Sequence, residues 1–221
     1  MQMIDSILLI LAGYLWGSIS PSFVAARILK GIDLRQYGTG QVGGSNAGRQ
    51  LGRRWLLIIG FADFLKGLIA TALARAWGFD LLTVVFVALA TVLGHNWSLF
   101  LGFSGGRGLA TTMGALLAWD VRLVLMPLLF FVFTELTGHS GKGPMIAFIL
   151  LAPFAWLVGD PPAFILGSFL LAVLITLKRL EANRLPLPRA PRERRAVLWR
   201  RLWLDRDVPA EQPWEERKRF V

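Results

Sequence analysis

Residues 6–26 run for 21 positions without a formal charge, the length that one helix needs to cross the hydrocarbon core of a bilayer. Six further apolar runs follow, at 55–74, 81–93, 109–119, 123–134, 145–158 and 162–177. Only Asp120 and Arg122 separate the fourth run from the fifth, so these two are either short helices or one long broken one. Counted separately they make seven spans. The fold class expected is therefore an all-α integral membrane protein with seven transmembrane helices, some short, joined by glycine-rich cytoplasmic loops. Composition agrees: the chain is 55% hydrophobic and only 17% charged, with a mean hydropathy of +0.56, too little polar surface to cover a soluble globule. The first run is too long for a signal-peptide core and has no basic segment before it, so it reads as a span. Pro21 is expected to kink its far end.

The net charge of +10 would suggest nucleic acid in a soluble protein, but here Lys and Arg gather between the apolar runs. The 27–54 stretch holds six of them against the single acid Asp33, and from Lys178 onward there are thirteen against seven acids. With the patch at Arg107 and the turn at Lys142, these segments share one side if the N-terminus is outside; the positive-inside rule makes that side the cytoplasm. Residues 1–178 form a polytopic membrane domain, and 179–221 a basic cytoplasmic tail. The tail is either a surface-lying segment drawn to anionic membrane lipids or a solvated one. No nucleic acid partner is expected. With no Cys and only two His, neither a metal site nor a disulfide framework is indicated, and no cofactor is implied.

Two glycine-rich stretches carry the chemistry. The first is Gly38-Thr39-Gly40-Gln41-Val42-Gly43-Gly44-Ser45-Asn46, followed by Arg49. Its glycines let backbone N–H groups converge, Thr39 and Ser45 add hydroxyls, and Arg49 can grip an oxyanion. The second is Ser104-Gly105-Gly106-Arg107-Gly108, leading into an apolar helix with Thr111 and Thr112 in its first turns. Helix N-termini attract anions through free N–H groups and the helix dipole. Each stretch alone is equally a flexible surface loop; two on one membrane face suggest a ligand that carries phosphate. His95, twelve residues before Arg107, either donates to phosphate, shuttles a proton or is an interfacial structural residue. Asp63 and Lys66 fall on one helix face as a proton relay or a structural ion pair.

In order, Gly17-Ser18-Ile19-Ser20-Pro21, Asp33-Leu34-Arg35, the 38–46 loop with Arg49, Asp63 to Gly67, Gly94-His95 and Gly105-Gly106-Arg107-Gly108-Leu109-Ala110-Thr111 resemble the bacterial acyl-phosphate:glycerol-3-phosphate acyltransferases, the PlsY-type membrane enzymes. The likeness is close over the first half and follows the span pattern thereafter. It implies an enzyme of phospholipid synthesis in the bacterial inner membrane, with glycerol 3-phosphate and acyl phosphate as substrates and lysophosphatidic acid and phosphate as products. Thr39, Ser45, Asn46, Arg49 and His95 would be catalytic. Gly40, Gly43, Gly105, Gly106, Arg107, Gly108, Thr111 and Ser140 would bind substrate phosphate.

The chain departs from that pattern in places. Thr39 stands for a usual Ser, Gln41 for Asn, Ser98 for Pro, and Arg107 for Lys, which keeps charge but changes shape. The family also places a His and an Asn before Arg-Leu at the end of its final helix. Alignment on Arg179-Leu180 puts Val173 and Thr176 there, so a diverged homologue that only binds glycerol 3-phosphate or anionic lipid is the main rival. An anion transporter using Asp63 and Lys66 is a third class, against which no pair of broken helices stands in matching halves.

Overall fold

In the computed structural model, which describes residues 2–137 and 141–208, the chain is helical throughout its apolar runs. The first run breaks at Ser20. Its hydroxyl accepts the Phe23 N–H at 3.3 Å, and Pro21, whose missing N–H costs nothing at a first helical position, opens a new helix. The run is thus α1 (Gln2–Ser18) followed by α2 (Pro21–Lys30). A short α3 (Gly44–Leu51) leads into α4 (Arg53–Ala76) and α5 (Leu81–Asn96). Asp120 then divides α6 (Leu109–Trp119) from α7 (Val121–Leu136), which settles that ambiguity in favour of two helices. The chain continues as α8 (Lys142–Leu157), α9 (Pro162–Glu181) and α10 (Pro191–Leu204).

Among the described residues, three helical segments are long and apolar enough to cross a membrane: Met3–Lys30, Arg53–Ala76 and Pro162–Arg184. Four shorter apolar helices, α5 to α8, pack with them. Large side chains such as Leu57, Phe61, Phe133 and Trp156 lie 63–73% exposed on the outer surface. In water such a surface would be a liability on the order of 25 cal/mol per Å²; in a bilayer it meets its own kind.

Between lipid-facing helices, close packing replaces the hydrophobic effect as the main source of cohesion. Two crossings show how. A methyl on Gly17 of α1 would stand 2.1 Å from the Thr91 carbonyl oxygen on α5, and one on Gly94 of α5 would stand 2.1 Å from that of Tyr14. The α4–α6 crossing is built the same way, through Gly67 against Thr111 O and Gly114 against Phe64 O. Away from these contacts, Leu116, Phe148, Leu151, Leu171 and Ile175 form a buried core, in which Trp119 stacks on Phe164 at 5.3 Å.

The segment after α9 folds back on the bundle. Arg179, fully buried, donates from Nη1 to Gly141 O (3.0 Å) and Leu202 O (2.8 Å). Arg201, also buried, donates to Leu180 O (2.9 Å) and Leu185 O (3.0 Å) and pairs with Asp207 at 2.8 Å. Hydrogen bonds from charged donors are each worth about 1.5–3 kcal/mol, so α10 is firmly seated, with Val197 and Arg201 turned inward and Trp199 outward.

Candidate functional site

The two glycine-rich stretches meet at one end of the bundle. Asp33 starts the first by accepting the Arg35 N–H at 2.9 Å, opening a single 3₁₀ turn (Leu34–Gln36). The Arg35 guanidinium then pairs with Asp33 at 2.6 Å and holds its carboxyl below the usual carboxylate range. Asn46, on the first turn of α3 and 2% exposed, donates to the carbonyls of Leu34 (3.2 Å), Tyr37 (3.0 Å) and Gln41 (2.9 Å). One amide thereby winds the loop around itself. Thr39 Oγ1 accepts from Gln41 N at 3.3 Å, while Ser45 and Arg49 lie on the exposed side of α3.

The second stretch is threaded through the end of α5. Gly106 N donates to His95 O at 3.1 Å, and a methyl on Gly105 would stand 2.2 Å from that same oxygen. Gly108, at φ 73°, is the left-handed residue from which α6 starts. The two loops bond directly: Val42 N donates to Gly105 O at 3.1 Å. Asn183 fastens them further, giving its amide N–H groups to Gly40 O (3.2 Å) and Gly105 O (3.1 Å) while its Oδ1 accepts Gly105 N (3.2 Å). Glu181 accepts the Asn183 N–H at 3.1 Å, steadying a run of three left-handed residues, Ala182, Asn183 and Arg184.

Arg107 projects from this seam. Its Nη1 donates to Lys178 O at 2.6 Å, and its Nε lies 2.7 Å from Asp205 Oδ1. Lys178 is fully buried, paired with Glu181 at 3.0 Å and set 4.8 Å over the Trp97 ring. Behind Gly106 stands His95, whose Nε2 would be 2.2 Å from a methyl placed there. Its Nδ1 is 3.2 Å from Asp63 and 3.1 Å from Lys66 Nζ, and Lys66 also pairs with Asp63 at 3.1 Å and donates to Ile19 O at 2.9 Å. Asp63, Lys66 and His95 thus form one buried cluster behind the seam.

The structure gathers Thr39, Gly40, Gly43, Gly105, Gly106, Arg107 and Gly108 at the seam, with His95 directly beneath and Ser45 and Arg49 on the neighbouring helix face. Thr111 is fully buried against α4, and its hydroxyl has no hydrogen-bond partner among the described residues. Ser140 lies outside the described residues. Among the described residues, no group of three or more His, Cys, Asp or Glu side chains could hold a metal ion.

The family model described as glycerol-3-phosphate acyltransferase matches residues 7–185. The chain belongs to the glycerol-3-phosphate acyltransferase family. A glycerol-3-phosphate acyltransferase of Bacillus cereus is 36% identical over 177 residues, covering 80% of this chain and 88% of that one. The glycerol-3-phosphate acyltransferase of Aquifex aeolicus is 34% identical, with 81% and 95% covered. A crystal structure of PlsY (YgiH), an integral membrane glycerol 3-phosphate acyltransferase in its glycerol 3-phosphate form, superposes with a TM-score of 0.75 at 32% identity, covering 81% of this chain and 90% of that one.

Within the glycerol-3-phosphate acyltransferase family pattern, the last motif is not matched. Val173 and Thr176 lie inside the bundle on α9, where Thr176 Oγ1 faces the Met145 sulfur at 4.0 Å, and neither joins the seam. Asn183 does, and a second Arg-Leu pair, Arg184-Leu185, follows it immediately. On that second pair the same spacing puts Lys178 and Glu181 at the family's histidine and asparagine positions, so Asn183 fastens the seam without matching the family asparagine. No histidine accompanies it, since the chain's two are His95 and His139.

Proposed function

We propose that this integral, multi-pass membrane protein acylates glycerol 3-phosphate at the seam between its two glycine-rich loops, with acyl phosphate as donor. The observation that carries the reading is the direct bond between the loops, Val42 N to Gly105 O, reinforced from both sides by Asn183. Two anion-binding backbones held in contact can bring two phosphorylated substrates together, and such positioning accounts for a large share of a transfer between activated partners.

The glycerol 1-hydroxyl attacks the acyl carbonyl carbon, the new ester C–O bond forms, and the carbonyl–phosphate C–O bond breaks with its electron pair leaving on phosphate. The hydroxyl proton ends on a phosphate oxygen. Acyl phosphate already has a good leaving group, so no acyl-enzyme is required. Arg49 and Arg107 neutralise phosphate charge as it shifts, and the Thr39 and Ser45 hydroxyls orient the substrates. Asn46 shapes the first loop through its amide nitrogen, which reaches three carbonyls, while its Oδ1 has no partner among the described residues. His95 supports Gly106 from below. The seven apolar segments, α1 with α2 and then α4 to α9, span the membrane with the N-terminus outside, which puts loops and tail in the cytoplasm in keeping with their basic charge.

Purified protein in detergent or lipid cubic phase, given acyl phosphate and labelled glycerol 3-phosphate, should form lysophosphatidic acid. Arg107→Ala should raise the acceptor KM about tenfold to a hundredfold, as expected for the loss of one charge-assisted contact. An unchanged KM would remove Arg107 from the phosphate site.

A further inference from the structure

The family match ends at residue 185, yet the segment beyond it reaches back to the seam. Asp205, at the C-terminal cap of α10, adopts a left-handed conformation (φ 54°, ψ 34°). Its Oδ1 lies 2.7 Å from Arg107 Nε. The carboxylate is held there by an anchored frame: Arg179 bonds the Leu202 carbonyl, three residues before it, and Arg201 bonds Leu180 O, Leu185 O and Asp207 on either side of it. Both anchoring arginines are buried to 1% exposure.

We propose that Asp205 is a positioning residue for Arg107, setting the guanidinium so that its remaining nitrogen, Nη2, meets the acceptor's phosphate. The proposal rests on Arg107 binding that phosphate. Nη1 is already directed toward Lys178 O, and Nε lies against Asp205 Oδ1 in a close ion pair that lacks the alignment of a hydrogen bond. A lysine, the residue usual in the family at this position, is a point charge with rotating donors and has no orientation to set. A guanidinium is a planar fork whose usefulness depends on how it is turned. This chain thus combines a directional cation with an added carboxylate that directs it. A carboxylate that merely competed with phosphate would need to leave when substrate arrives, and the buried anchors on both sides of Asp205 oppose that movement.

The test is steady-state kinetics on full-length protein carrying Asp205→Asn, Asp205→Glu, Arg107→Lys, Arg107→Ala, and the Arg107→Lys/Asp205→Asn pair. Asp205→Asn is expected to raise the KM for glycerol 3-phosphate roughly tenfold, as a misdirected clamp does, with the KM for acyl phosphate held within about twofold. Asp205→Glu should recover part of the loss, and it also serves if the asparagine variant fails to fold. In the Arg107→Lys background, Asp205→Asn should change the acceptor KM little. A lowered KM in Asp205→Asn would show competition instead and overturn the proposal, as would an equal rise in both backgrounds. If Arg107→Ala raises the acceptor KM while Asp205→Asn leaves it unchanged, this inference fails alone. If Arg107→Ala leaves it unchanged, the phosphate-site reading fails and this inference with it.

Discussion

The two ends of the bundle are closed to different effect. At the end away from the site, neighbours cap single turns, and Arg75 and Arg122 tie helix ends together through the carbonyls of Ala118, Trp119 and Val158. Asp80 caps α5 by accepting from Leu82 N and Thr83 N, and Asp120 accepts from Arg122 N at 2.7 Å and pairs with the same guanidinium. At the site end the decisive bonds join segments far apart in the chain: Asn183 reaches Gly40 across 143 positions and Gly105 across 78. Local closure fixes one turn at a time, and losing it costs that turn. Long-range closure fixes the relation between two binding loops, so losing it costs the geometry between two substrates.

That contrast can be broken most sharply at Asn183. Asn183→Ala should lower kcat/KM by about two orders of magnitude while the thermal unfolding midpoint moves little, because the loops keep their own turns but lose their fastening. A midpoint that falls together with activity would make Asn183 an ordinary structural residue. At the other end, Asp80→Ala should do the reverse, lowering stability by about 1 kcal/mol through the lost cap and leaving both KM values unchanged. Chemical denaturation in detergent, measured beside activity, checks both.

The smallest effect tests whether a local closure within the site end behaves like its distant counterparts. Arg35 holds the Asp33 carboxyl below the usual carboxylate range. A carboxyl with a lowered folded-state pKa adds stability above its unfolded pKa and loses it as pH falls through the folded one. Below about pH 4 the wild type should therefore lose a small increment, at most about 0.5 kcal/mol after solvent screening, that Asp33→Asn lacks at every pH. Superimposable pH–stability curves for the two would show that the pair contributes nothing.

The same division governs how much could be read from the chain. The apolar runs placed each of the main helices, and the three-residue spacing of Asp63 and Lys66 placed both on one face. Pro21 marked the first break because a proline's local consequences do not depend on the rest of the fold. Asn183 gave no sign of its role in the sequence, because its partners Gly40 and Gly105 lie 143 and 78 positions away. Three successive left-handed residues, an alanine, an asparagine and an arginine, have no local signature either. The depth of Thr111 was not legible either, since it is the close approach of α4 at Gly67 that buries it in its helix's first turn. Asp205 stands 98 positions from Arg107, with only the fold to bring them together.

The position of Asn183 near the end of the chain also orders the protein's making. A ribosome delivers the first loop and then the second long before α9, and until that helix is inserted the loops lack the bonds from Asn183 and keep the one from Val42 to Gly105. A nascent or truncated chain that stops short of residue 183 holds every glycine and arginine of the two loops without the clasp between them. If the seam is the site proposed, catalytic competence is expected to arrive only with completion of the membrane domain.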